Sequence, residues 1–227
     1  MLTTEKINEL IGVDDSWKAP RRLMDIILNQ SDRTNLFKNF LKYETDISYD
    51  WFHMYFQDEA ADRKKKKQDF TPRSISEIMN RLTINDKSDN YFESAAGTGG
   101  IVISHYYQEC LKQLPWDYKP SNHYHTLEEL SDRAVPFLLF NLAIRGMNAT
   151  LIQIDSLSRE NCKGVFFIQN IENDVLSFSN VNVMPYSERV KKEFNIESWS
   201  DQHYPSHIEN KLRDVFDDKS VKCIKKI

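Results

Sequence analysis

Residues 90–100 read NYFESAAGTGG and place three of the chain's 6 glycines within four positions. They stand between a short apolar run and the helix-like IVISHYYQECLKQL. A glycine turn at the end of a strand lets the backbone reverse sharply and approach a ligand with no Cβ in the way. The turn lacks the lysine of a phosphate-binding loop and the G-x-G-x-x-G spacing of a dinucleotide turn, so nothing in it is built for a pyrophosphate. Two carboxylates stand at matching places downstream. Glu129, with Glu128 beside it, ends the strand-like NHYHTLEEL, where a carboxylate can accept hydrogen bonds from both vicinal hydroxyls of a ribose. Asp155 ends ATLIQIDSL, where it can accept from an adenine amino group. A ribose without a phosphate fits this set, and S-adenosylmethionine is such a ligand; it is the expected cofactor.

These residues need a sheet to hold them. NYFES, NHYHTLEEL, ATLIQIDSL, GVFFIQN and VLSFSNVNVMPYS read as strands, and IVISHYYQECLKQL and SDRAVPFLLFNLAIRG as the intervening helices. Alternation of this kind predicts an α/β fold, a parallel sheet with helices on both faces. Before it, residues 1–60 predict a helical N-terminal segment. Pro20 suits a first helical turn, and Trp51, Phe52, Tyr55 and Phe56 recur at helical spacing as a packing face. QDFTPRSISEIMNRLT predicts an entry loop and a helix capped by Thr71 with Pro72 at its first position. The expected division is a helical segment over 1–60, an α/β core over 61–190 and a polar tail over 191–227.

Composition narrows the function classes. The 227 residues carry a net charge of −4, which argues against binding nucleic acid by bulk charge. The one dense basic run, Arg63-Lys64-Lys65-Lys66-Lys67, reads either as a solvated surface or as a phosphate contact beside a site. No run of about 18 apolar residues is present, so no membrane span is expected. MLTTEKINELIG has no apolar core flanked by basic residues and is not expected to be a signal peptide. The 3 cysteines are far apart and show no zinc spacing, which fits a reduced cytoplasm; no metal site is expected.

Four stretches, in order, resemble the adenine-N6 DNA methyltransferases, and specifically the modification subunit of type I restriction–modification systems. QDFTPRSISEIMNRL resembles the family's Q-F-x-T-P loop and helix. YFESAAGTGG resembles D-P-A-C-G-T-G-G, with Glu93 for the Asp, Ser94 for the Pro and Ala96 for the Cys. EELSDRAVPFLLFNLAIRG resembles the acidic ribose residue followed twelve positions on by N-L-x-x-x-G, a spacing that selects Glu129 because of Asn141. IDSL resembles G-D-S-L. The match covers about residues 68–157. It implies a Rossmann-like S-adenosylmethionine-dependent methyltransferase sheet. Phe70, Thr71 and Pro72 would lie near the methionine end of the cofactor. Glu93, Ala95, Gly97, Thr98 and Gly99 would cradle it, with Glu129 on the ribose and Asp155 on the adenine.

The family's chemistry lies in N-P-P-[YF] after the fourth strand. An adenine amino group is a poor nucleophile because its lone pair is delocalised. The Asn side chain and a proline carbonyl accept its protons, and the aromatic ring stacks on the flipped base. Here the motif is split. Asn170 follows GVFFIQ without proline or aromatic, and Pro185-Tyr186 follows VLSFSNVNVM with Val183 where the Asn belongs. An active enzyme would require Asn170, Pro185 and Tyr186 to converge. It would also need a partner protein to supply DNA sequence specificity. The alternative is a catalytically silent relative that engages a protein partner, for example a DNA-defence complex or a repressor.

Overall fold

The computed structural model describes residues 2–56, 74–75, 78–79, 90–114 and 116–210. Three helices open the chain. Helix α1 (Thr4–Ile11) is capped by the Thr3 side chain and closed by Gly12 in the left-handed region. Helix α2 (Ala19–Ile27) carries Pro20 in its first turn, where a missing N–H costs nothing. Helix α3 (Gln30–Phe40) is capped by Asn29. Residues 41–52 form turns, and Trp51, Phe52, Tyr55 and Phe56 are all buried. Phe37, Phe40 and Phe52 pack edge-on or tilted against Phe140 at 4.7–5.1 Å between ring centroids, so the helical segment shares one core with the helix that bears Phe140.

The rest of the described chain is a mixed α/β unit. Strand β1 (Asn90–Ser94) leads into helix α4 (Gly100–Leu111), and strand β2 (Tyr124–Glu129) into helix α5 (Val135–Ile144). Strands β3 (Ala149–Gln153), β4 (Gly164–Gln169) and β5 (Asn180–Val183) follow, and then the short helix α6 (Glu188–Glu193). The five strands lie in sequence order in one sheet. Helix α5 and the N-terminal helices cover one face; Val190, Phe194 and Ile196 cover Ile152, Val165, Phe167 and Met184 on the other.

The sheet is not parallel throughout, which corrects the expectation. Strands β1, β2 and β3 are parallel, but β4 is antiparallel to β3, and β5 antiparallel to β4. The connections decide this. A parallel return needs a crossover of about a dozen residues or more, usually a helix. Residues 154–163 instead fold back on themselves, with Arg159 and Asn161 at positive φ, and Lys163 N–H donates to Gln153 O at 3.0 Å to start the return. Among the described residues no helix is long and apolar enough to cross a membrane.

Candidate functional site

The glycine turn forms as its composition demands. Ala95, Gly97 and Gly99 have φ of 59°, 58° and 100°. The turn is stitched to the next strand by Ala96 N–H donating to Glu128 O at 2.9 Å. At Gly99 a Cβ would stand 2.9 Å from Leu138 Cδ1, so glycine there also lets α4 start close against α5. Ala95 holds a left-handed conformation without being glycine, which stores about 1 kcal/mol or more of strain beside the turn.

Glu129 lies against this turn. One carboxylate oxygen accepts from Gly97 N–H at 2.7 Å and the other from Ser131 N–H at 2.8 Å. The carboxylate thus bridges the exits of β1 and β2, and each oxygen keeps a lone pair for a further donor. The period of 2 along the strand sends Glu128 to the opposite face, where the Arg159 guanidinium pairs with it. Arg159 also donates to Phe194 O at 2.7 Å and so ties that face to α6. Asp155 is half-buried, and its Oδ1 accepts from Leu157 N–H at 2.9 Å. The backbone N–H groups of Leu157 and Ser158 hold its carboxyl below the usual range. Glu93 is half-buried and accepts from Tyr91 Oη–H at 2.8 Å. Loss of water pushes its carboxyl up to about 7, the Tyr91 hydroxyl and Val102 N–H act the other way, and the Glu129 charge adds to the rise.

Glu93, Ala95, Gly97, Thr98, Gly99 and Glu129 therefore gather at the C-terminal ends of β1 and β2, and Asp155 lies just beyond the end of β3. Phe70, Thr71, Pro72 and the basic run at 63–67 lie outside the described residues.

The three expected catalytic residues do not come together. Tyr186 is at the same end of the sheet as the glycine turn, because β5 runs parallel to β3. Its hydroxyl donates to Lys163 O at 2.9 Å and accepts from Tyr204 N–H at 2.9 Å. One face of its ring is stacked on His203, at 4.0 Å between centroids. Pro185 beside it is exposed. Asn170 follows the last residue of β4 and lies at the opposite end, a strand length of about 20 Å away. There its Nδ2 donates to Asp174 O at 2.7 Å, Gly146 O at 3.0 Å and Ser177 O at 3.2 Å, and its backbone N–H donates to Asn148 Oδ1 at 2.8 Å. It is a loop-building residue. The spacing from IDSL placed it correctly only for a parallel β4. Asn182, the other asparagine near the split motif, is buried, and its Oδ1 accepts from Glu209 N–H at 2.7 Å.

A groove of about 970 Å³ runs beside this end of the sheet, between α2, the entry to α5 and residues 202–205. Trp17, Arg21, Arg133, Lys163 and Tyr204 line it, and none of residues 95–99 does. At its base Lys163 pairs with Asp132 at 2.6 Å, Gln153 Nε2 donates to Asp132 at 2.7 Å, and Tyr204 Oη–H donates to Gln153 Oε1 at 2.6 Å.

Three residues under the glycine turn escaped sequence reasoning as a group. Asp50, Asn141 and Arg145 are buried and hydrogen-bonded to one another or to Thr98. The available signal was the carboxylate of Asp50 inside the aromatic YDWF, and Asn141 with Arg145 one helical turn apart in an otherwise apolar helix.

No curated protein and no solved structure matches this chain. A family model described as N-6 DNA Methylase matches residues 45–209, a span that takes in the glycine turn, Glu129, Asp155 and the aromatic segment around Asp50. The chain belongs to this family of adenine-N6 DNA methyltransferases.

Proposed function

We propose that this chain is an S-adenosylmethionine-binding relative of the type I modification subunits, silent in methyl transfer on its own, which acts through a protein partner. When bound, the cofactor supplies a methyl group on a sulfonium for transfer to an amine. The chain's own residues fit it at the nucleoside end. Glu129 keeps acceptor capacity for ribose hydroxyls, and Asp155 for an adenine amino group. Gly97 and Gly99 keep side chains away from the turn, and the carboxylates of Glu93 and Glu129 suit a ligand that carries an ammonium and a sulfonium. The fold would then be the cofactor-binding part of a Rossmann-like sheet, formed by β1 to β3.

One observation carries the silent half of the reading: Asn170 is committed to three carbonyls at the far end of β4 from Tyr186. An acceptor amine at the cofactor end has no contact with Asn170, and the ring of Tyr186 has one face on His203. Loss of a positioned transition-state group costs roughly 3–4 kcal/mol, about a hundred- to thousand-fold in rate. The groove with Trp17, Arg21, Arg133 and Lys163 favours a second reading, an active DNA adenine methyltransferase whose partner supplies sequence specificity.

The test is calorimetric titration with S-adenosylmethionine, repeated on Glu129→Ala and Asp155→Ala, followed by transfer of a labelled methyl group to unmethylated DNA. Binding that both changes weaken, with no transfer by the isolated chain, is expected. Absence of binding by the folded wild-type chain removes the cofactor from the reading. Transfer by the isolated chain selects the second reading.

A further inference from the structure

The cluster beneath the glycine turn does more than fill the core. Asp50 is 6% exposed. Its Oδ2 accepts from Thr98 Oγ1–H at 2.5 Å, and its Oδ1 accepts from Asn141 Nδ2 at 2.8 Å and Phe52 N–H at 2.9 Å. Asn141 Nδ2 also donates to Thr98 O at 2.8 Å, so both the hydroxyl and the carbonyl of Thr98 are held from below. Arg145 fixes which way the Asn141 amide points, because its Nη1 donates to Asn141 Oδ1 at 2.8 Å. The same guanidinium donates to Ile47 O at 2.9 Å and Tyr49 O at 2.6 Å and so holds the chain on both sides of Ser48. Burial pushes the Asp50 carboxyl up, and the donors around it, Thr98, Phe52 N–H and Asn141, with the Arg145 charge, act the other way.

Thr98 stands between two glycines at positive φ. Glycines give a turn freedom, and a ligand that needs one conformation of it gains affinity when something else removes that freedom beforehand. Glu129 fixes the turn from the sheet side at Gly97. The second fixing point comes from a segment that is not in the sheet at all.

We infer that Asp50 is a positioning residue for the cofactor turn: through Thr98 it makes segment 47–52 set the conformation that the ligand meets. The inference rests on the reading of this turn as the S-adenosylmethionine site. It follows that the ligand's affinity depends on the helical N-terminal segment, although none of the cofactor contacts proposed above comes from it.

Amide hydrogen exchange of residues 96–101, without ligand, tests the hold on the turn. S-adenosylmethionine titration tests its consequence. The variants are Thr98→Val, which keeps the shape and removes the donor, Thr98→Ser, which keeps the hydroxyl, and Asp50→Asn. Thr98→Val and Asp50→Asn are expected to speed exchange in the turn about ten-fold, as suits loss of a buried hydrogen bond and the acceptor it leaves unpaired, with strands β3 and β4 unchanged. Affinity should fall by a similar factor, and Thr98→Ser should restore both. Three results overturn the inference. These are wild-type exchange in Thr98→Val, a Thr98→Ser variant as impaired as Thr98→Val, or acceleration spread evenly over β3 and β4. If Asp50→Asn does not fold, the two Thr98 variants decide alone. If the wild type binds no S-adenosylmethionine, the cofactor reading fails by itself, while the exchange comparison still decides whether Asp50 holds the turn.

Discussion

Replacing Asn170 by alanine separates a structural asparagine from a catalytic one. In the structure Nδ2 has two hydrogens and three carbonyl acceptors, those of Asp174, Gly146 and Ser177, at 2.7, 3.0 and 3.2 Å. Two of those bonds are fully made at any moment. Asn170 is 5% exposed, so water does not simply take its place. Each bond contributes about 1 kcal/mol net, and a carbonyl left unsatisfied in the interior costs about 1–3 kcal/mol more. The sum predicts that Asn170→Ala loses about 3–5 kcal/mol. For a chain of this length that lowers Tm by roughly 6–20 °C and moves the urea midpoint by about 1–2.5 M. The local geometry adds a control. Gly146 has φ of 65°, and a Cβ on it would stand 2.4 Å from Ser177 O and 2.7 Å from Asn170 Nδ2. Gly146→Ala should therefore break the same loop and cost as much. Urea unfolding followed by circular dichroism gives both numbers. An Asn170→Ala protein of wild-type stability would falsify the assignment. If that variant had also lost a methyl-transfer activity present in the wild type, Asn170 would have to be catalytic and the direction of β4 wrong.

Other perturbations follow from the same coordinates. Gly99→Ala forces a side chain into φ of 100° and against Leu138, and should cost about 1–3 kcal/mol in denaturant unfolding together with cofactor affinity. Arg33 and Glu209 form a buried pair at 2.6 Å whose side chains are 2% and 4% exposed. Arg33→Ala should lose about 3–5 kcal/mol in the same unfolding assay, because it takes the guanidinium from a carboxylate left with only His207 and Val181 N–H and leaves Ile27 O without its donor. Burial holds His125 at about 3, against 6.5 for an unperturbed histidine. The unfolded chain therefore takes up a proton that the folded chain refuses between those values. Stability falls as pH falls through that window, by up to about 1.4 kcal/mol per pH unit, and His125→Gln should flatten the slope. Glu93 acts in the opposite sense. Its folded value of about 7 lies above the ordinary 4.5, so the folded chain binds the extra proton and stability falls as pH rises from 4.5 through 7. Glu93→Gln should gain about 1–3 kcal/mol at pH 8 and almost nothing at pH 4.5, measured as paired urea midpoints.

Local chemistry was legible in the sequence, and strand direction was not. Glycines at 97 and 99, an apolar strand that ends in Glu129 and another that stops just short of Asp155, and Pro20 at a helix start each act within a few residues, and the turn, the strands and the helix start formed about where the pattern put them. The aromatic run at 51–56 was legible as a packing face for the same reason. The direction of β4 depends on what connects it to β3. Strand–helix alternation had suggested a uniform parallel sheet, but IDSLSRENCK contains no helical period, and residues 154–163 are too few for a crossover without one. The information was in the connection rather than in the strand. Asp50 was illegible for a different reason. Its partners are Thr98 and Asn141, far away in sequence, and no spacing rule links a loop after α3 to a turn after β1.

The reversal of β4 also decides where acceptor chemistry can reside. In a strand parallel to β3, a residue after the C-terminal end stands beside the glycine turn. In one antiparallel to β3, it stands at the other end of the sheet, and the glycine-turn end is served by the residues that enter β4 and leave β5. Here those are Lys163, Pro185 and Tyr186, with Tyr204 and His203 packed on them. Lys163 is paired with Asp132 and carries no acceptor, and the Tyr186 hydroxyl already has a donor and an acceptor partner. A methyl acceptor brought to this end by the groove beside Trp17 would meet the cations Arg21, Arg133 and Lys163, the carboxylates Asp25 and Asp132, and the rings of Trp17 and Tyr204. Asn170, the asparagine that the split motif offers after β4, is not among the residues that line it. On the proposed reading, this end of the sheet would hold the cofactor and an acceptor and would depend on a partner protein to make them react.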